Sequence, residues 1–151
     1  MMPAANPWKS YRQISTQTAP PGQLVLMLFD GALNSIDRAL LGFNVMEIGE
    51  RNTTIHNNLT RAIDIIRELN HSLDTESGGQ LADTLRNLYV YFERRLVESN
   101  LKKSRKGVDE VIPMLKQLRD AWSGMLTRQT ADTSQFAAVA ESWPSNHSRA
   151  T

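Results

Sequence analysis

The sequence predicts an all-α fold, specifically an antiparallel up-down four-helix bundle with a short N-terminal arm and a disordered C-terminal tail. Three observations support this prediction. Apolar residues recur at steps of three and four positions in four separate stretches, which is the spacing that keeps them on one face of a helix. The second and third connections between these stretches are short, so neighbouring helices must run antiparallel. No stretch shows the alternation of polar and apolar residues that a half-buried strand requires.

The first helix is predicted over about residues 21 to 46. Its seam, meaning the line of apolar residues expected to face the core, consists of Leu26, Phe29, Leu33, Ile36, Leu40 and Phe43. The seam of the second helix consists of Ile55, Leu59, Ala62, Ile66, Leu69 and Leu73. Residues 45–52 connect the two helices, and on either side of Gly49 they could be loop or continued helix. Gly78 and Gly79 predict a left-handed cap after the second helix.

The seam of the third helix consists of Leu81, Leu85, Leu88, Tyr89, Phe92 and Leu96. Its regular path passes through Arg95 before it drifts to Leu96, so the carboxyl end of this helix should be less apolar. The seam of the fourth helix consists of Val108, Val111, Leu115, Leu118, Trp122 and Met125, and Ser104 can cap its amino end. Pro113 lies inside this seam, where it removes a backbone donor and crowds the carbonyl of Asp109. We therefore expect a kink there or a later start of the helix.

The predicted parts of the chain are an N-terminal arm or lid (residues 1–19), the bundle domain (20–128) and a C-terminal tail (129–151). In the arm, Trp8, Tyr11 and Ile14 have helical spacing, and prolines on both sides isolate the arm from the first helix. The arm is therefore either a lid over a groove or a turn that seals one end of the bundle. The tail holds few large apolar residues, so we expect it to be mostly disordered.

The composition gives no general attraction to nucleic acid or to an anionic membrane, because 17 basic residues stand against 16 acidic ones. A basic cluster at residues 102–106 could touch phosphate, but charged loops of this kind are most often simply solvated. The chain has no cysteine, no signal peptide and no apolar run long enough for a membrane span. We therefore expect a cytoplasmic protein that binds no nucleic acid and does not insert into membranes.

Candidate chemistry is limited to one motif, the E-x-x-H spacing of Glu68 and His71, which resembles half of a di-iron site in a helical bundle. Both residues should point away from the core, because the seam of that helix passes through Leu69 and Leu73. No second half of the motif is present, and phosphate-binding and nucleophile motifs are absent from the sequence. The sequence thus predicts a protein that is not an enzyme and needs no metal or other cofactor.

Apolar residues outside the seams offer a different kind of site. A second stripe on the first helix consists of Val25, Leu28, Ala32 and Ala39, and the second helix adds Ile63 and Ile65. These residues either widen the buried face of each helix or line grooves that the helix of another protein could occupy.

Four segments in this order resemble the FliS family of flagellar secretion chaperones, over about residues 11 to 126: residues 11–18, 23–32, 57–74 and 91–100. The second of these contains LMLFDGA, in which Phe29 stands where tyrosine is more usual in the family, so any hydroxyl bond there is lost. The resemblance implies an antiparallel bundle that binds the disordered C-terminal segment of newly made flagellin. It also implies that this binding prevents premature polymerisation in the cytoplasm and presents flagellin to the flagellar type III export apparatus.

In this interpretation the aromatic arm around Tyr11 lies over the client groove and shifts when flagellin binds. The expected partner-binding residues are Tyr11, Ile14, Leu28, Phe29, Asp30, Asn58, Arg61, Ile65, Leu69 and Arg95. We expect Ile65 to line the client groove and Ile66 to lie in the core. A co-chaperone or regulator is a possible further partner. The alternative function is an adaptor or regulatory bundle that binds another amphipathic-helix protein, because such a protein would have the same grooves.

Overall fold

The computed structural model describes residues 20–73 and 75–128, with the backbone alone at residues 75–78. The described helices are α1 (Pro21–Gly42), α2 (Ile48–His71), α3 (Thr75–Lys102) and α4 (Lys106–Arg128). Each helix packs antiparallel against its neighbour in the sequence, and α1 also packs against α4, which closes the bundle. The predicted all-α four-helix bundle is confirmed. The predicted arm (1–19) and tail (129–151) lie outside the described residues, so the division of the chain into these parts stays a prediction.

Most of the core comes from the predicted seams. The fully buried seam residues of α2, α3 and α4 are Ile55, Leu59, Ala62, Ile66, Leu69, Leu88, Phe92, Leu96, Val108, Val111, Leu115 and Leu118. Aromatic rings fill the centre, with the ring of Tyr89 6.5 Å from those of both Phe29 and Phe92 in tilted arrangements. The Tyr89 hydroxyl is buried with its ring, and this burial raises the pKa of Tyr89.

The buried face of α1 differs from the prediction. Ala32 and Ala39 are completely buried, whereas the predicted seam residues Leu33 and Leu40 are only half-buried at the edge of the core. The reason is the close approach of α1 to α2, which small side chains permit. A Cβ placed on Gly42 would lie 2.8 Å from Cγ2 of Thr54 on α2. The buried face of α1 is therefore wider than the predicted seam and includes both alanines.

The apolar residues that seemed spare belong to the core. Leu28 on α1 and both Ile63 and Ile65 on α2 are buried in the same cluster as the seams. The expectation that Ile65, unlike Ile66, lies outside the core is therefore wrong, and its part in partner binding stays a prediction. Of the two interpretations of the second stripe, the structure supports the wide buried face.

The connection between α1 and α2 is loop up to Glu47, after which α2 begins at Ile48. Oε2 of Glu47 accepts a hydrogen bond from the backbone N–H of Gly49 at 3.1 Å, and Oε1 accepts one from Glu50 at 2.6 Å. These backbone bonds satisfy the free donors of the first turn and hold the pKa of the Glu47 carboxyl below its usual value.

The glycine pair does not cap α2. That helix ends at His71, and its cap residue Ser72 has right-handed backbone angles. Gly79 instead lies within α3, with φ +58° and ψ −137°, where two helical segments meet. The predicted left-handed cap is therefore wrong: the φ of Gly79 is positive, but its ψ is far from the left-handed helical value of about +47°, and the next helix begins before the glycine is reached.

The fourth helix starts at Lys106 and continues through Pro113, so the expected later start is wrong, while a kink at Pro113 stays a prediction. The proline is exposed, and Val111 and Leu115 on either side of it are completely buried, so core packing holds both halves of the helix in place. The predicted cap at Ser104 is confirmed: its Oγ accepts a hydrogen bond from the N–H of Lys106 at 3.2 Å.

Candidate partner-binding surface

The described candidate residues fall into two groups by burial. Leu28, Phe29, Ile65 and Leu69 are buried, with Leu28 6% and Ile65 2% exposed. Asp30, Asn58, Arg61 and Arg95 are half-buried. Tyr11 and Ile14 lie outside the described residues.

One set of these residues comes together where α1 meets α2. A Cβ on Gly31 of α1 would lie 3.4 Å from Cδ1 of Ile65, so this isoleucine packs against the α1 backbone. Asn58, Arg61 and Ile65 are spaced by three and four residues and therefore share one side of α2. Together with Leu28 and Gly31 they form what we call the α1–α2 surface. Its floor is apolar, and its rim on α2 is polar.

The polar rim of this surface consists of Asn58, which is hydrogen-bonded within α2, and Arg61, which is not bonded to another described residue. Nδ2 of Asn58 donates to the backbone carbonyl of Thr54 at 2.9 Å, which leaves its amide oxygen for other donors. Arg61 makes no hydrogen bond or ion pair with another described residue. A guanidinium in that situation can bind a carboxylate or carbonyl of a partner through several donors.

Asp30 is held on the other side of α1, against α4. Nε of Arg119 donates to its Oδ1 at 2.8 Å, and Nη2 lies 3.5 Å from Oδ2. This bidentate contact raises the pKa of Arg119. One end of the same helix pair is also joined by Trp122, whose Nε1 donates to the carbonyl of Gly22 at 2.8 Å. Asp30 therefore joins helices and does not belong to the α1–α2 surface.

Arg95 is likewise engaged, between α3 and α4. Its Nε donates to Oε1 of Glu110 at 2.9 Å, and its Nη1 pairs with Glu98. The hydroxyl of Tyr91 donates to the same Glu110 oxygen at 3.1 Å. Arg95 thereby lowers the pKa of Glu110, while burial, followed by the bond to Glu110, raises the pKa of Tyr91. The prediction that the carboxyl end of this helix is less apolar is confirmed.

Three residues of this α3–α4 contact were not predicted. Oγ of buried Ser99 accepts a hydrogen bond from the N–H of Val108 at 3.1 Å and so satisfies a donor at the start of α4. A Cβ on Gly107 would lie 2.5 Å from the carbonyl oxygen of Arg95, so only glycine fits there. The glycine one residue after the start of α4 was a visible signal of this close approach. The role of Glu110 as the partner of Arg95 had no such signal.

Within residues 20–73 and 79–128, no group of three His, Asp or Glu side chains is close enough to hold a metal ion. His71 is exposed at the end of α2, and the Nδ1 atom of His56 lies 3.0 Å from Nδ2 of Asn100. None of the four described helices is long and apolar enough to cross a membrane. The described residues thus define an all-helical bundle of four antiparallel helices with a polar rim along α2.

Comparison with known proteins gives this class a family. The family described as "Flagellar protein FliS" matches residues 4–129. The chain is 36% identical over 119 residues to the flagellar secretion chaperone FliS of Salmonella typhimurium, covering 76% of this chain and 85% of that protein. It is 32% identical over 139 residues to the flagellar secretion chaperone FliS of Bacillus subtilis, covering 92% of this chain and all of that protein. The chain belongs to the FliS family of flagellar secretion chaperones, which confirms the resemblance found in the sequence.

Proposed function

We propose that this protein binds the disordered C-terminal segment of newly synthesised flagellin in the cytoplasm, prevents its premature polymerisation and presents it to the flagellar type III export apparatus. The observation that carries the proposal is family membership across residues 4–129, a span that includes every candidate residue. The curated relatives are themselves named flagellar secretion chaperones.

The α1–α2 surface is the proposed docking place for the client. Leu28 and Ile65 are already packed, so a client helix would lie over them and would not have to open the core. Its apolar stripe would cover the floor, and its polar groups would meet Arg61 and Asn58 on the rim. Ordering a disordered client opposes binding by about 2 to 5 kcal/mol, so the contact must extend beyond these residues. The proposed additional contacts are Tyr11 and Ile14 of the arm.

The remaining described candidates are proposed to affect client binding indirectly, by holding the helices of the bundle in position. Phe29 and Leu69 are buried and shape the floor from below. Asp30 and Arg95 hold α4 to α1 and to α3 through their ion pairs. In this view their replacement affects client binding by shifting helices, whereas replacement of Arg61 affects it directly.

Calorimetry with a synthetic flagellin C-terminal segment tests the proposal. The protein should bind one segment, and Arg61→Ala should weaken binding about tenfold, as expected for a charged contact at an interface. Lys116→Ala, a change at an exposed lysine on α4, is the matched control and should bind as the unaltered protein does. Melting temperatures of both variants should stay unchanged, because neither side chain has an ion-pair partner among the described residues.

Two results would contradict the proposal. If the unaltered protein failed to bind flagellin, and a different helical protein were recovered with it from the motile bacterium, the adaptor function would replace the chaperone function. If Arg61→Ala and Lys116→Ala bound flagellin equally well, the client would dock elsewhere on the bundle.

A further inference from the structure

The outer face of α3 carries an apolar line that no described helix covers. Val90 is 48% exposed and Leu101 is 80% exposed, and half-buried Val97 between them packs with its inner side against the edge of the core. Their spacing of seven and four residues places the three on one side of the helix. The line is about 16 Å long, which corresponds to three helical turns.

Neighbouring contacts show that Val90 and Leu101 face away from the rest of the bundle. On one side of it, Glu93 and Asn100 reach across to α2, where they contact Arg67 and His56. Tyr91 and Arg95, which contact Glu110 on α4, lie on the other side. α3 also lies diagonally across the bundle from α1, so this face is separate from the α1–α2 surface.

Positive charge collects at the end of the apolar line, in the turn between α3 and α4. Two cations there are paired, Lys102 with Glu98 at 3.3 Å and Arg105 with Asp109 at 3.2 Å. The two others have no described carboxylate within ion-pair distance, and these are Lys103 and Lys106. The turn thus has uncompensated positive charge beside Leu101, the most exposed apolar side chain of α3.

The backbone at Lys103 adds a second, independent observation. Its φ is +50°, a left-handed conformation that favours glycine, and the N–H of Ser104 donates to the carbonyl of Ser99 at 3.0 Å to close the helix end. Nζ of Lys103 donates to the carbonyl and to Oδ1 of Asn100, both neutral acceptors, at 2.6 and 2.8 Å. A cationic side chain therefore stands at a position where the backbone would favour glycine.

We propose that Val90, Val97, Leu101, Lys103 and Lys106 form a second docking surface, the α3 surface, for an acidic amphipathic helix of another protein. The apolar line would take the partner's apolar stripe, and the two lysines would take its carboxylates. The apolar line argues against nucleic acid, whose contacts with proteins are dominated by phosphate. The proposal does not depend on flagellin binding.

The probe for this surface is a synthetic helical peptide with a leucine stripe flanked by glutamates, and the matched control peptide carries lysines in place of the glutamates. The full-length protein should bind one acidic peptide, more weakly as salt rises, because salt screens the exposed charges. It should not bind the basic peptide. An absence of acidic-peptide binding, or equal binding of both peptides, would overturn the proposal.

Variants then locate the site. Leu101→Glu should weaken binding of the acidic peptide about tenfold, because it removes the apolar anchor and adds a repelling charge. Leu41→Glu is its control, since Leu41 is 70% exposed on α1, away from the α3 surface. Lys103→Gly should also weaken binding while the melting temperature holds or rises, because glycine relieves the left-handed backbone. Equal effects of Leu101→Glu and Leu41→Glu would overturn the assignment.

A competition experiment with flagellin distinguishes a separate α3 surface from a part of the client site. The flagellin segment should still bind to Leu101→Glu with unchanged affinity, and it should leave the acidic peptide bound in a three-component complex. Displacement of the peptide by flagellin would mean that the α3 face belongs to the client site, which would overturn the proposal of a separate surface. Because flagellin binding is measured directly in the same series, failure of the chaperone function would be seen independently.

Discussion

The two helical hairpins of this bundle differ in the contacts that join their helices. In the α1–α2 hairpin, small residues bring the backbones close, and Leu28 and Ile65 pack in the contact. In the α3–α4 hairpin, a polar network near the turn, centred on Glu110 and buried Ser99, adds to the packing of the apolar seams. An apolar contact is insensitive to pH and adapts poorly to a buried charge, whereas a polar contact depends on protonation and on geometry. The comparison therefore predicts different responses to the same kinds of change.

The largest effect is expected in the apolar hairpin. Ile65→Asp and Ile66→Asp should each destabilise the fold by about 4 kcal/mol or more, because each buries a carboxylate that has no ion-pair partner. Thermal unfolding of the two variants measures this directly. An Ile65→Asp protein that melted like the unaltered chain would show that Ile65 is accessible and would restore the open groove predicted from the sequence.

The next largest effect is expected at Gly107 and Gly42, the glycines where the two helices of each hairpin approach closely. Gly107→Ala should cost about 1 to 3 kcal/mol, because its Cβ would meet the rigid backbone oxygen of Arg95. Gly42→Ala should cost less, because its Cβ would meet the side chain of Thr54, which can move. Urea unfolding of both variants decides the order, and the reverse order would mean that the apolar contact is the more rigid of the two.

A smaller effect should depend on pH and act through the polar contact between α3 and α4. The pKa of Glu110 is lowered in the folded protein, chiefly by its bond from Arg95, so its ionised form stabilises the fold above its unfolded pKa of about 4.3. That contribution is lost as the pH falls through the lowered folded value. Because the carboxylate is partly exposed, Glu110→Gln should cost under about 1 kcal/mol at pH 7.

Melting curves at neutral and acidic pH test this expectation. The difference between Glu110→Gln and the unaltered protein should disappear once the pH falls below the lowered folded pKa of Glu110, when the native carboxyl is also neutral. Asp83→Asn, a change at an exposed carboxylate on α3, is the matched control and should melt as the unaltered protein does at neutral pH. A Glu110→Gln deficit that persisted at acidic pH would mean that shape, and not charge, makes this contact.

The smallest effect is expected outside both hairpins. Removal of residues 129–151 should leave the melting temperature and flagellin affinity nearly unchanged, because the family match ends at residue 129 and the tail is poor in large apolar residues. Calorimetry and thermal unfolding of the shortened chain check both properties. A marked loss in either would show that Phe136 or Trp143 packs on the bundle.

The sequence was a good guide wherever large apolar side chains repeat with the helical period. The seams of α2 and α4 were predicted for this reason, since leucine, isoleucine and valine have little other use at such spacing. Ala32 and Ala39 were placed beside the seam of α1 because they are small, yet both are completely buried in a bundle where α1 and α2 approach closely at Gly42. Periodicity describes one helix at a time, so it does not reveal such an approach.

The candidate site was less predictable than the fold. Asp30 and Arg119 lie 89 residues apart in the chain, and their ion pair depends on the rotation and vertical register of two helices. Arg95 and Glu110 are closer in sequence, yet they meet only because the turn between α3 and α4 fixes the register. The family resemblance named Asp30 and Arg95 as site residues, and it carried no information on the helix contacts that already engage them.

Trp122 gives the bundle a built-in optical reporter. Its indole N–H is bonded to the carbonyl of Gly22 in the first turn of α1, immediately after the chain leaves the arm. The chain has three tryptophans, and Trp8 and Trp143 lie outside the described bundle, so replacing these two with phenylalanine isolates the signal of Trp122. The emission of that single indole would then follow any loosening of the arm's attachment point in real time, during client capture as well as during unfolding.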